Sequence, residues 1–293
     1  GPYPVRYEFD DELSQLFFDT IQLLTGLNEL GQKVEGGLAY YRYRAIEYLK
    51  FEEDSKRHGQ VKSVSERLAG IMKTMLIKRL ESSFYAFERS LGNLLRNTEN
   101  MIKMFEDDQV FVAPDVDVNK FLNDDKEDEL IAKINEKGGN NRIYTSDRFE
   151  AEFVELLETD KAKIEPLLKR WKRIEYDPKL DKFLAELTDN FLDESKNVEG
   201  KLVIFSEAND TVQYLKKQLN AAGLDKVLAI NAGNRNKQEN NIKLNFDANE
   251  DKENWKHDYD IIITTEVLAE GINLHRSNTI INYDVPWNST RLM

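Results

Sequence analysis

The chain has 293 residues, 40% of them hydrophobic and 32% charged, with a formal net charge of −13 and no cysteine. That length suits two hydrophobic cores of ~100–200 residues each, and the apolar content is that of a folded rather than a disordered chain. Disulfide frameworks and cysteine zinc sites are excluded, and no apolar run approaches the roughly 20 residues that a membrane span needs.

His58, His257 and His275 lie too far apart in sequence to suggest a metal cluster, so no metal ligand is assigned, and a reducing cytoplasmic setting is expected. The acidic balance argues against a broadly basic nucleic-acid surface. A groove that touches one strand through main-chain amides and hydroxyls is still compatible with it. Gly1-Pro2 without an initiator Met or a signal segment, and the stop at Arg291-Leu292-Met293, read as the ends of an excised fragment.

From about residue 10 to 174 the periodicity is helical. Residues 11–24 form a helix that Asp10 or Asp11 can cap, and a second helix is expected over 37–52. Leu68, Ile71, Met72, Met75, Leu76, Leu80, Phe84, Phe87, Leu91, Leu94 and Leu95 recur at three- and four-residue steps, which is one long amphipathic helix or two with a break near Gly92. The stretch 105–141 is acidic and broken by Asp107-Asp108, Asp124-Asp125 and Gly138-Gly139-Asn140-Asn141, and is expected to protrude. A last helix is expected over 147–174, with Pro166 as a point of kinking.

From Tyr176 strands and helices alternate: strand 201–205, helix 210–222 ending at Gly223, strand 226–230, helix 236–246, strand 260–264 and strand 278–282. Apolar strands alternating with helices imply an α/β fold, a parallel sheet covered on both faces. Ligands of such sheets sit at the carboxyl ends of the strands. The domain expectation is therefore a mainly helical insertion over 1–175 followed by an α/β lobe over 176–293.

The nearest thing to a phosphate loop is Gly26-Leu-Asn-Glu-Leu-Gly31-Gln32-Lys33. Its Lys is displaced by one position, no Ser or Thr follows, and a helix rather than a strand precedes it, so the strand-loop-helix cradle is not expected. No apolar strand ends in an acidic pair suited to magnesium. Trp171-Lys172-Arg173 and Tyr40-Tyr41-Arg42-Tyr43-Arg44 mix aromatic and basic residues in a way that suits stacking on nucleic acid, but their helical spacing favours core packing.

The informative stretch is Asp260-Ile-Ile-Ile-Thr-Thr-Glu-Val-Leu-Ala-Glu-Gly-Ile-Asn-Leu274, followed by Asn278-Thr-Ile-Ile-Asn-Tyr-Asp-Val-Pro-Trp-Asn-Ser289. It resembles motif V and the following segment of superfamily 2 helicases, and is most similar to Swi/Snf-type DNA translocases. Upstream, 201–207 resembles motif IV and Ile230-Asn-Ala-Gly233 the next strand-to-loop element, so the likeness runs over roughly 177–293 in the family's order. It implies the second RecA-like lobe, the helicase C-terminal domain, of an ATP-dependent helicase or translocase.

By that resemblance, the loops bearing Ser206, Asn209, Gly233, Thr264 and Thr265 contact one strand of a nucleic acid, and Gly271 and Asn273 face the nucleotide. ATP and Mg would be held mainly by a missing N-terminal RecA-like lobe, and duplex DNA is the expected partner in preference to RNA. The family's motif VI, with its arginine finger, should begin just after Met293, so no catalytic residue is assigned and Arg291 is not given that role. Lys78-Arg79-Leu80-Glu81-Ser82-Ser83 resembles the helical extension that joins the two lobes in Swi/Snf-type proteins. Glu270 departs from the Arg that many RNA-directed relatives carry there. The bland reading leaves Ser206 and the threonines as helix caps and Gly271 as a helix end. The alternatives are an RNA helicase lobe, or a non-catalytic interaction module built on a degenerate lobe.

Overall fold

The computed structural model describes residues 3–50, 55–112, 142–265, 268 and 273–285, with the main chain alone for 55–62 and 142. The chain divides into two compact units. One comprises Asp11–Ile77 and Glu88–Ile174, the other Gly1–Asp10, Lys78–Phe87 and Glu175–Met293.

In the first, helical unit, α1 (Asp11–Thr25) buries Leu13, Leu16, Thr20 and Leu24 along one stripe. The helix expected over 37–52 is replaced, as far as residue 50, by two 3-10 turns, Tyr41–Tyr43 and Ala45–Tyr48. The buried Asp160 carboxylate explains this: it accepts the amides of Ala39 and Tyr41 at 3.1 and 2.9 Å, with Tyr40 between them in the left-handed region at φ 57. A helix would need those amides for its own ladder.

The long helical pattern becomes α2 (Ser55–Ser82) and α3 (Phe84–Glu106), broken at Ser83 rather than near Gly92. A Cβ on Gly92 would stand 3.8 Å from Leu168 Cδ2, so that glycine lies under a packed leucine within an unbroken helix. β1 (Val110–Val112) pairs antiparallel with β2 (Arg142–Tyr144), which brings the chain back to the point it left. Residues 113–141, most of the acidic stretch expected to protrude, lie outside the described residues.

After a 3-10 turn at Ser146–Arg148 comes α4 (Phe153–Trp171), with Pro166 in its interior. Phe153 stacks on Tyr48 at 4.7 Å and meets Phe105 and Phe149, all in one apolar cluster. Trp171 is fully buried and donates from Nε1 to Thr20 Oγ1 at 2.9 Å. Tyr40, Arg42 and Tyr43 are buried as well, so the tyrosine-rich run is built largely into the interior, whereas beside Trp171 the basic Lys172 and Arg173 are exposed.

The α/β unit opens with α5 (Pro178–Glu186), unmarked in the sequence reading although its start signal is plain: Asp177 caps it, accepting the Leu180 amide at 3.0 Å, and Pro178 fills the first position. There follow β3 (Leu202–Phe205), α6 (Asn209–Ala221), β4 (Val227–Ile230), α7 (Arg235–Phe246), β5 (Ile261–Thr264) and β6 (Thr279–Asn282). The strands form one parallel sheet in the order β4-β5-β3-β6.

Side chains alternate between the two faces, as strand geometry requires. Leu202, Ile204, Val227, Ala229, Ile261 and Ile263 pack with Val212, Leu215 and Leu219 of α6 and Leu180 and Phe183 of α5. Leu228, Ile230 and Ile262 pack on the other face with Ile242 and Phe246 of α7. Strands buried on both sides read as continuous apolar runs, which made them visible in the sequence.

Candidate functional site

The register sets Phe205, Ile230, Thr264 and Asn282 in one row across the sheet. The next residues, Ser206, Asn231, Thr265 and Tyr283, therefore begin neighbouring loops at its carboxyl end, where the macrodipole of each following helix is positive.

The β3–α6 loop is held from beneath. Ser206 is 3% exposed, and its hydroxyl donates to Asp284 Oδ2 at 3.0 Å. Both Asp284 oxygens also accept the Glu207 amide at 3.2 Å, and Ser206 Oγ accepts the Ala208 amide at 3.3 Å. Further in, Ser206 Oγ lies 3.3 Å from Ser82 Oγ, while Thr211 Oγ1 lies 2.7 Å from Ser82 Oγ and 2.8 Å from Ser83 Oγ.

Lys179 closes this cluster. Its ammonium donates to the Glu81 and Ser82 carbonyls, both at 2.8 Å, and sits 4.3 Å from the centre of the Tyr283 ring. Those carbonyls end α2, so a cation there also meets the negative end of the helix dipole. Burial lowers the Lys179 ammonium's affinity for its proton, against the opposing pull of Asp284, Asp177 and Glu81. Burial likewise drives the Tyr283 phenol well above its ordinary range, which keeps it neutral.

Asn209, at the start of α6, is exposed and accepts from Asn231 Nδ2 at 3.1 Å. Asn231 and Asn234 bond reciprocally: Asn231 N donates to Asn234 Oδ1 at 2.8 Å and Asn234 N to Asn231 Oδ1 at 3.0 Å. Gly233 stands exposed between them, and a Cβ there would come 3.4 Å from Asn231 Oδ1, so its absence leaves room for another backbone to approach. Thr264 is fully buried, its hydroxyl donating to the Thr265 carbonyl at 2.9 Å, whereas Thr265 is half-exposed.

Five of the residues singled out in the sequence thus share the carboxyl end of the sheet, in two tiers: Asn209, Gly233 and Thr265 reach solvent, and Ser206 and Thr264 support the loops from inside. Asn273 is not in that row. Its Oδ1 accepts the His275 amide at 3.0 Å, opening a turn tied to the opposite end through Ser277 Oγ to the Lys201 carbonyl and the Arg276 amide to the Phe246 carbonyl. Gly271 lies outside the described residues. Sequence reasoning missed Asp284, Lys179 and Thr211, whose roles come from long-range contacts with no local signal beyond the Asp-x-x-Trp ending.

Two features bear on the nucleotide. In the glycine-bearing run 26–33, the amides of Leu30 and Gln32 donate to Asn28 Oδ1 and the Gly31 amide to the Asn28 carbonyl, so the turn bonds to itself rather than forming a phosphate cradle. Asp284, the buried carboxylate at the sheet's carboxyl end, has both oxygens committed to Ser206 and Glu207, and the described residues contain no group of three or more potential metal-ligating side chains. The described residues therefore offer no set of three protein ligands for a magnesium ion.

Residues 178–293 match the family model described as the helicase conserved C-terminal domain, and this segment has the parallel sheet at its core. Among similar curated proteins, the uncharacterized ATP-dependent helicase YqhH of Bacillus subtilis (strain 168) is 33% identical over 102 residues, 33% of this chain and 16% of that protein. The ATP-dependent RNA helicase DBP5 of Gibberella zeae is 32% identical over 87 residues, 30% of this chain and 16% of that protein. The chain spans about one sixth of the length of these relatives.

Proposed function

We propose that this chain belongs to an ATP-driven superfamily 2 translocase of Swi/Snf type acting on duplex DNA, and that the carboxyl end of its parallel sheet touches one strand of the nucleic acid. The observation that carries this is the two-tier edge. Asn209, Gly233 and Thr265 offer an amide, a bare backbone and a hydroxyl to solvent, with no Arg or Lys among them. Such groups suit a sugar-phosphate backbone and not a particular sequence, and they stand where helix amino ends favour anions.

In this reading Ser206 and Thr264 shape the loops and do not themselves meet phosphate, since both hydroxyls are buried and bonded internally. Gly271 and Asn273 keep the nucleotide-facing role that the motif resemblance implies. The phosphate loop and magnesium site belong to a first lobe, which fits a chain whose glycine-bearing turn bonds to itself. Closure of the two lobes would then couple hydrolysis to movement along the strand. The chain alone is expected to bind nucleic acid weakly and to hydrolyse no ATP.

A second reading, an RNA helicase lobe, is favoured by the similarity to the ATP-dependent RNA helicase DBP5 of Gibberella zeae. ATP hydrolysis by the full-length protein decides between them, measured with duplex DNA and with single-stranded RNA, for wild type, Thr265→Ala and Gly271→Ala. The translocase reading expects stimulation by duplex DNA, weaker dependence on DNA in Thr265→Ala and loss of turnover in Gly271→Ala. Stimulation by RNA alone would establish the second reading. A folded full-length protein with no stimulated turnover would leave a lobe retained as a docking module.

A further inference from the structure

The α/β unit buries four hydroxyls side by side, Ser82, Ser83, Ser206 and Thr211, each at most 3% exposed. Hydroxyls in a core add little net stability and are costly if left unbonded, so a cluster of them needs a reason. The carboxylate beside them supplies a direction. Both Asp284 oxygens accept the Glu207 amide, and the 3.0 Å contact from Ser206 takes the Ser206 hydrogen.

A hydroxyl has one hydrogen, and the rest follows by elimination. The 3.3 Å contact between Ser206 and Ser82 must use the hydrogen of Ser82. The 2.7 Å contact between Ser82 and Thr211 must then use that of Thr211, and the 2.8 Å contact between Thr211 and Ser83 that of Ser83. Ser83 Oγ accepts the Ala86 amide at 3.1 Å, which is the capping bond of α3. Every hydroxyl donates once and accepts at least once, and bonds aligned in this way polarise one another.

At its far end the chain of bonds reaches the candidate nucleic-acid edge. Between Ser206 and Asn209 lie only Glu207 and Ala208. The first gives its amide to Asp284 and the second to Ser206 Oγ. The two peptide units that aim Asn209 are thus both held by the terminal members of the chain.

We propose that Thr211 is the central link of a directed hydroxyl chain, running from the cap of α3 through Ser82 and Ser206 to Asp284, and that it is a positioning residue for the Asn209 loop. The proposal rests on the reading of that loop as a nucleic-acid contact. Thr211 itself touches no ligand. It acts by accepting the Ser83 hydrogen and giving its own to Ser82, which holds Ser82 against Ser206 and so steadies the angle at which the loop leaves β3.

The test uses the full-length protein with Thr211→Val, which keeps the shape and removes the hydroxyl, and Thr211→Ser, which keeps the hydroxyl. Two quantities are read: amide hydrogen exchange at Glu207 and Ala208 without nucleic acid, and the nucleic-acid concentration giving half-maximal ATPase stimulation. Thr211→Val is expected to speed exchange there roughly 5- to 10-fold, the size of one lost buried hydrogen bond. It should raise the half-maximal concentration several-fold with unchanged basal and saturated rates, and Thr211→Ser should restore both.

Unchanged exchange in Thr211→Val overturns the chain itself. Faster exchange with an unchanged half-maximal concentration, in a wild type that is stimulated, overturns the positioning role and leaves a structural one. A wild type without stimulation overturns the functional reading and the positioning role with it, and the exchange measurement, made without nucleic acid, tells that case from a failure of the chain.

Discussion

In the helical unit the buried polar side chains serve mainly the backbone, whereas at the carboxyl end of the α/β sheet they also bond to one another in a continuous run. Thr20 and Thr98 donate to the carbonyls of Leu16 and Leu94 one turn back, and Asp160 collects the amides of Ala39 and Tyr41. The amino end of the sheet follows the same habit: Asn245 Oδ1 takes the amides of Asp258 and Tyr259, and Lys201 donates to the Tyr259 carbonyl. The run from Ser83 to Asp284 and the Asn209–Asn231 pair are side chain to side chain. Bonds to the backbone secure a fold. Networks among side chains fix the aim of loops, and in this molecule they stand where the candidate site is.

The sharpest way to break that contrast is through the apolar part of the helical unit. Phe153, fully buried and stacked on Tyr48, should lose about 3–5 kcal/mol of stability as Phe153→Ala. Denaturant unfolding measures the loss, and exchange should rise first at 41–48 and 149–157, the segments around its cluster. A loss below 1 kcal/mol would mean that this cluster is not what holds the unit.

Asp160→Ala comes next, at about 2–4 kcal/mol, because two buried amides lose their acceptor. Burial holds the Asp160 carboxyl above its ordinary range, against the lowering effect of those amides. A raised folded value means the titration favours the folded state fully below about pH 4, and that this contribution is lost as pH rises through the folded value. The stability gap between wild type and Asp160→Ala should therefore be widest in acid and narrow toward neutrality. A gap that widens with pH would reverse the assignment.

The same contrast explains what was legible in the sequence. The strands of the α/β unit, covered on both faces, appear as unbroken apolar runs, and the structure places every one of them within a residue of expectation. Their carboxyl ends led directly to Ser206, Asn209, Gly233, Thr264 and Thr265. What escaped depended on distant partners. The only local mark of the break at Ser83 is its type, a serine able to cap α3, and its neighbours continue the apolar period, while Lys179 receives the end of α2 from nearly a hundred residues away. The turns at 41–48 replace a helix because Asp160, far along the chain, takes the amides a helix would need. Burial of Ser206 and Thr264 was invisible for a related reason: a hydroxyl at a strand end looks the same in sequence whether it faces solvent or a neighbouring aspartate.

Within the α/β unit, Asp284→Asn should cost about 1–3 kcal/mol, because one amide oxygen replaces two acceptors and its NH2 group faces donors. Exchange at Glu207 should rise with it. A variant as stable as wild type, with Glu207 still protected, would show that the carboxylate is not the anchor of the loop.

Asn209→Ala carries the smallest structural effect and the most telling comparison. The side chain is exposed, and its bond to Asn231 is a surface bond, so stability should stay within about 0.5 kcal/mol of wild type. If the carboxyl end of the sheet is a nucleic-acid edge, the full-length variant should nevertheless need several-fold more nucleic acid for half-maximal ATPase stimulation. The shift should persist across substrate sequences, because an amide beside a backbone reads no base. An unchanged requirement would place the contact elsewhere on the edge, at Thr265 or Gly233, while the buried tier beneath Asn209 would keep its structural role. A shift confined to one sequence would mean that the loop reads bases after all.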